Sequence, residues 1–307
     1  MHRKIWLITA ASLVLVGCLL FAGVMTVLNW DFSMLATVKY VTNEYAITKD
    51  FKNISIIADT ADIFFMPTQD AAVSVVCYEQ ENARHTVSVQ DGTLTVELVK
   101  AGKWHEYIGI VFDSPKITVR MPQGAYETLQ IRSSTGDVQI PAEFSFMSLD
   151  VALSTGDVTS FASVAGAAKI TTATGGIRME NLSADTVELA VSTGKMSLSN
   201  VKCTNFTSVG ATGDITLKSL LCTGKMAIVR DTGDVRLEDC DAAQIHIQTA
   251  TGDVVGSLLT PKVFAAETDT GGVKVPASAE GGPCVVKTDT GDIRLTLAQY
   301  DADSIIR

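Results

Sequence analysis

Six aspartates share one sequence context. Asp137, Asp157, Asp214, Asp234, Asp253 and Asp292 each follow a glycine and recur along the C-terminal two-thirds of the chain. Carboxylates repeated in this way could line a row of calcium sites, because hard cations take clustered oxygen ligands. Aspartate is also a turn residue that bonds local amides. The second role is favoured here. Gly176, Lys195 and Gly272 interrupt the row, and no second carboxylate recurs at a ligand spacing. The expectation is therefore no metal site, with these six positions marking where a cation row would sit.

Acid–base and nucleophilic chemistry has little to work with. After the N-terminal apolar run the imidazoles are His85, His105 and His246. No serine-nucleophile motif, HExxH pair or phosphate loop occurs. No catalytic residue and no cofactor site is predicted. Cys77, Cys203, Cys222, Cys240 and Cys284 also lie beyond that run, an odd number that cannot form a closed disulfide set. None forms a CxxC pair, so no zinc site is expected and they read as small buried fillers. A net charge of −10 argues against nucleic acid, which needs a basic face.

What positions these residues is a repeat. Thr-Gly recurs at Thr135-Gly136, Thr155-Gly156, Thr174-Gly175, Thr193-Gly194, Thr212-Gly213, Thr232-Gly233, Thr251-Gly252, Thr270-Gly271 and Thr290-Gly291. The glycines step by 20, 19, 19, 19, 20, 19, 19 and 20 residues. A period of this length means one supersecondary unit per repeat, stacked on its neighbours. Seven and five residues before each glycine, and two and four after it, apolar residues alternate with polar ones, as in Leu149 and Val151 or Ile215 and Leu217. Period-two alternation predicts strands with one buried face. Thr-Gly is then a corner, with the glycine in a backbone conformation a side chain opposes and the threonine hydroxyl bonding nearby backbone. A second corner is predicted at Glu180-Asn181, Ser199-Asn200, Lys218-Ser219 and Glu238-Asp239. Antiparallel hairpins are the rival arrangement. A column of identical threonines favours a parallel solenoid, in which equivalent positions stack about 4.8 Å apart. The predicted fold class is all-β: a parallel β-solenoid of coils of about 19 residues, each laid on its predecessor, with an irregular N-terminal β cap.

The N-terminus predicts a membrane anchor. After Arg3 and Lys4, an uncharged run from Ile5 to Leu28 would reach about 36 Å as a helix, enough for a bilayer core of about 30 Å. The positive charges precede it, which keeps residues 1–4 in the cytoplasm and places the C-terminal part outside. The run is longer than a cleavable signal region of about 7–15 residues. Leu15-Val16-Gly17-Cys18 also has the look of a lipobox, but the residues after Cys18 stay apolar. The expected organisation is a cytoplasmic N-terminus over 1–4, a transmembrane signal-anchor helix over 5–28 and a juxtamembrane connection over 29–50. A cap with a degenerate first coil follows over 51–125, then the solenoid over 126–307. In that degenerate coil Ile54, Ile56, Thr60, Ile63 and Phe65 match the repeat columns, with Ala61 in place of glycine. Asp91-Gly92 predicts a hairpin turn inside the cap. Trp104, Tyr107 and Phe112 form an aromatic loop expected to cover the open end of the core, and Asp301 and Asp303 would blunt the far end.

Lys116-Ile117-Thr118-Val119-Arg120-Met121-Pro122 leads into Ser133-Ser134-Thr135-Gly136-Asp137-Val138 and then Ser154-Thr155-Gly156-Asp157-Val158. With these segments and Trp104-His105-Glu106-Tyr107-Ile108, the chain over about 45–297 resembles a bacterial "putative adhesin" family of unknown function. Its members include LiaG-like and YvlB-like envelope proteins related to the toastrack domains. The resemblance implies a cell-envelope protein in surface attachment or stress sensing, and it implies no chemistry. The functional expectation is a non-enzymatic, membrane-anchored extracytoplasmic module that binds an envelope protein or a surface glycan. The alternative is a carbohydrate-active lyase or hydrolase on a β-helix scaffold.

Overall fold

The computed structural model describes residues 2–31, 39–69, 71–100 and 114–298. The aromatic loop of Trp104, Tyr107 and Phe112, His105, and the terminal Asp301 and Asp303 lie outside the described residues. Among the described residues one α-helix, His2–Val27, is followed by 22 strands. Its apolar stretch Ile5–Val27 is long enough to cross a membrane. The hydroxyls of Thr9, Ser12 and Thr26 donate to carbonyls one turn back, so their polarity is satisfied within the helix. Asn29 and Trp30 adopt positive φ and end it.

Beyond the helix the chain winds as a parallel β-solenoid. Strands Gly124–Thr135, Phe144–Thr155, Ser163–Thr174 and Ser183–Thr193 lie side by side, parallel and in register, with Thr135, Thr155, Thr174 and Thr193 aligned. The series continues through Thr212, Thr232 and Thr251. Parallel pairing at every Thr-Gly site excludes the hairpin arrangement. Each coil then turns into a second strand, such as Val138–Ile140, Val158–Ser160 and Ile177–Glu180, stacked in the same way. Asn181, Asn200, Ser219 and Asp239 have φ of 56°, 54°, 51° and 52°, so the second corner is a single left-handed residue.

The corner glycines meet two demands at once. Gly213 has a φ of +131°, and a Cβ placed on it would lie 2.0 Å from the Gly194 carbonyl oxygen of the adjacent coil. Each corner carbonyl thus occupies the space where its neighbour's side chain would begin. This close approach, as much as the dihedral angle, requires glycine there.

The interior is a set of aliphatic columns. Leu129, Leu149, Ala168, Val187, Phe206, Met226 and Ile245 make one, and Val138, Val158, Ile177, Met196, Ile215, Val235 and Val254 another, all buried. Full burial of such a side chain contributes about 1.5–3 kcal/mol. The interior also holds a polar fault. Arg230 is buried and runs over Gly210, whose missing side chain leaves it room. One guanidinium nitrogen, Nη2, donates to Ser208 Oγ at 3.3 Å, while Nε and Nη1 find no partner among the described residues.

Stacking order departs from chain order at both ends. The final coil, Gly282–Thr290 with Ile293–Leu297, does not lie outermost. It inserts between the coil ending at Thr251 and the coil Lys262–Thr270. At the other end, Asn53–Ile57 pairs on one side with Gly124–Thr135 and on the other with Thr93–Lys100. Asp62–Thr68 is likewise flanked by Lys116–Pro122 and Val138–Ile140. The expectation that each coil lies on its predecessor therefore holds from the degenerate first coil to the coil ending at Thr251 and fails at the C-terminal end. All coils carry the same columns, so the columns alone do not say which coil neighbours which.

Antiparallel strands complete the N-terminal end. Ala83–Gln90 pairs with Thr93–Lys100 through the Asp91-Gly92 hairpin, both of whose residues have positive φ. Val73–Gln80 pairs with Lys116–Pro122 on one edge and Tyr40–Ile47 on the other. Residues 40–47 thus form a strand of the solenoid's own sheet.

Candidate functional site

Two features bring functional groups together, the Thr-Gly-Asp corner and a buried cluster in the N-terminal end.

At the corner, all nine threonines are exposed and aligned in one ladder. Their hydroxyls do not bond the turn. In five coils that task falls to the residue two positions earlier. Thr172 Oγ1 lies 3.2 Å from the Gly156 carbonyl oxygen and 3.1 Å from that of Thr174, and Ser133, Thr249, Thr268 and Thr288 act alike. The cause is the pleat: alternation ends at this earlier residue, and the last two residues of the strand turn outward.

The aspartates join neighbouring coils. Asp137 Oδ1 accepts the Asp157 amide at 2.8 Å, and Asp157 Oδ1 accepts the Gly176 amide at 2.6 Å. Asp214 serves Asp234, Asp234 serves Asp253, Asp253 serves Asp292, and Asp292 serves Gly272. The last two links follow the inverted stacking order rather than the sequence. Arg236 pairs with Asp234 at 2.7 Å, and Arg294 bridges Asp292 at 2.5 Å and Asp253 at 3.3 Å. Several carboxylates in the row are thus already engaged with amides and guanidinium groups. The structure assembles the row as sequence reading laid it out, but each carboxylate faces one backbone amide and not a shared centre.

Cys77, Glu79 and His85 converge in the N-terminal end. Cys77 and Glu79 share the inward face of Val73–Gln80, and His85 enters from Ala83–Gln90. All three are buried, and one ligand-capable atom of each lies within 4.8 Å of the other two. Glu79 Oε2 accepts the His85 ring Nδ1–H and backbone N–H, each at 2.6 Å, and Oε1 accepts Asn43 at 2.6 Å. Burial alone would raise the Glu79 carboxyl, but the hydrogen bonds from the His85 ring, Asn43 and the His85 amide outweigh it and hold it below the ordinary range. Burial, helped by the Glu79 charge, pushes the Cys77 thiol up to about 12. Tyr45 donates its hydroxyl to the His85 carbonyl. Sequence reading took Cys77 as a filler and gave His85 no role. The available signal was Glu79 itself, a charged residue on the face that Val75 and Cys77 mark as buried.

The remaining sites are simpler. Cys203, Cys222, Cys240 and Cys284 are buried and unbonded, with Cys203 Sγ 3.2 Å from Cys222 Sγ. Cys18 lies exposed on the helix. His246 is half-buried. An apolar groove of about 330 Å³ runs along the second-strand face beside Phe64, Met66, Pro141 and Phe161. The Arg178 guanidinium sits 5.7 Å from the Phe161 ring centre.

No curated protein matches the chain. Among solved structures it is similar to a "putative adhesin" from Bacteroides fragilis, at 16% identity and a TM-score of 0.43, covering 84% of this chain and 97% of that one. A second "putative adhesin", from Parabacteroides distasonis, is 12% identical at a TM-score of 0.48, covering 85% and 98%. A "putative lipid binding protein" from the same species is 15% identical at a TM-score of 0.41, covering 83% and 96%. The family pattern described as Toastrack DUF4097 matches residues 51–306, which takes in every coil of the solenoid. The chain belongs to the Toastrack DUF4097 family.

Proposed function

We propose that this protein is a non-catalytic binding module held by its helix on the outer side of a bacterial membrane, where the solenoid meets an extended partner of the cell envelope. Arg3 and Lys4 precede the apolar stretch, which favours an extracytoplasmic solenoid. The observation that carries the reading is the threonine ladder. Nine exposed hydroxyls stand in register at about 4.8 Å intervals on a backbone held rigid by parallel pairing. Such a surface offers the same hydrogen-bonding group repeatedly along one line, and it suits a partner that is itself extended and repetitive, such as a surface glycan. Attachment at a solenoid face is spread over many weak contacts.

Cross-linking in native membranes, with recovery through the full-length chain, tests this. The expected outcome is a surface polymer or an envelope protein whose capture falls when Thr193, Thr212 and Thr232 are together replaced by valine. Capture unchanged by that replacement removes the ladder from the reading. Turnover of a wall glycan by the full chain overturns the non-catalytic assignment in favour of a carbohydrate-active enzyme.

A further inference from the structure

We propose that Cys77 and His85, with Glu79 orienting the imidazole from its far side, form a binding site for a zinc-class transition-metal ion, built into the fold next to the strand that follows the membrane helix. Three observations carry this. The cluster supplies a cysteine sulfur and an imidazole nitrogen, donors that thiophilic divalent ions take with water completing the shell, and the Cys77 sulfur and a ring nitrogen of His85 lie within 4.8 Å of each other. The His85 tautomer is fixed by its neighbour: an ionised Glu79 can only accept, so Nδ1 carries the proton and Nε2 carries the free lone pair. That Nε2 is buried and has no hydrogen-bond partner among the described residues, on a side chain only 3% exposed. A buried acceptor left unsatisfied costs about 1–3 kcal/mol, and coordination of a cation satisfies it. A carboxylate holding the far side of an imidazole is also how metal-binding histidines are oriented.

The site differs in kind from the aspartate row, whose carboxylates are exposed or half-buried and each engaged with a backbone amide. Because its ligands are buried, the ion enters as the N-terminal end folds and contributes to stability. On coordination the Cys77 S–H proton leaves to solvent and a sulfur–metal bond forms. No electron is transferred. Asn43 and Tyr45 connect the cluster to Tyr40–Ile47, since Asn43 holds Glu79 and Tyr45 holds the His85 carbonyl. Ion binding is thereby felt in the first described strand after the membrane helix.

The test uses the full-length chain in detergent, stripped with a chelator and titrated with cobalt(II). The expected result is saturation at one equivalent, with a thiolate-to-cobalt charge-transfer band that zinc(II) abolishes. Cys77→Ala should lose the band and Cys284→Ala, which removes another buried thiol, should keep it. A wild-type protein without the band, or a Cys77→Ala protein that retains it, overturns the proposal. Should Cys77→Ala fail to fold, X-ray absorption on the zinc-loaded wild type decides: one sulfur among nitrogen and oxygen ligands supports the site, and none or several sulfurs overturns it. Hydrogen exchange provides a readout that a purely structural cluster would not move. Zinc should slow exchange in residues 40–47, and unchanged exchange there overturns the coupling to that strand.

Discussion

The middle of the solenoid and its two ends are made of the same coil but assembled by different rules. From Gly124 to Leu258 successive coils pair with one another in chain order. At both ends the chain skips a place and returns, so its first and last coils are internal rungs. The difference teaches that the repeat specifies the shape of a coil and the chemistry of its edges, while the identity of the neighbour is left open. Connection length does not settle it: the chain skips a place across residues 259–261, a join as short as 141–143 in the middle.

The largest predicted effect probes the tight corner. Gly213→Ala should lower the stability of the solenoid by about 3 kcal/mol or more in denaturant melts, through both φ strain and collision with the Gly194 carbonyl. Gly271→Ala makes the same collision with Gly291 but sits in the outermost coil, which can fray alone. Its global loss should be clearly smaller. Equal losses would erase the distinction between centre and end.

Next in size is the inverted junction. Asp253→Ala removes the carboxylate that links the inserted final coil and also pairs with Arg294. It should cost about 1–2 kcal/mol, and more than Asp137→Ala. Protease nicking near residue 290 should rise with it. Loss confined to Asp137→Ala would mean that the inserted coil is held by its apolar column alone.

The N-terminal end should be the acid-sensitive part. Glu79 is held below its ordinary value of 4.5, so its stabilisation is present above that pH and is lost as pH falls through the depressed value. Acid should therefore open residues 73–90 before the central coils, as read by hydrogen exchange. Glu79→Gln should flatten this acid limb. In the centre, Arg230→Met removes a buried guanidinium with two unpartnered nitrogens and should stabilise by about 1 kcal/mol. Destabilisation would show that the arginine is matched by a group the described contacts do not reveal. The smallest effect belongs to the exposed ladder: Thr212→Val should change stability by no more than about 0.5 kcal/mol.

Much of the coil was legible in the residues. The Thr-Gly period, the inward alternation of Leu149 and Val151, and the asparagines of the second corner each encode local geometry, and the structure places them in stacked parallel coils. What could not be read is long-range. Thr270-Gly271 and Thr290-Gly291 look alike, so nothing in either says which is outermost. The corner threonine's hydroxyl was assigned the bond that Thr172 and its equivalents make, because a sequence does not reveal where the pleat ends. The Cys77–Glu79–His85 convergence depends on a strand and a hairpin folding over one another. Only the unexpected charge at Glu79 pointed to it.

The doubly flanked first coil has a mechanical consequence. Any pull from the helix side enters the array at Tyr40–Ile47, paired with Val73–Gln80, before it reaches Asn53–Ile57, a strand hydrogen-bonded along both edges. Such a strand cannot be unzipped one bond at a time from a free margin. Two ladders must slide together, and the load is shared by their bonds at once. The tail end has the same protection, since Gly282–Thr290 lies between two partners. The doubly flanked coils therefore resist sliding out of the array without a disulfide to lock them, whereas Tyr40–Ile47, paired on one edge among the described residues, peels away first.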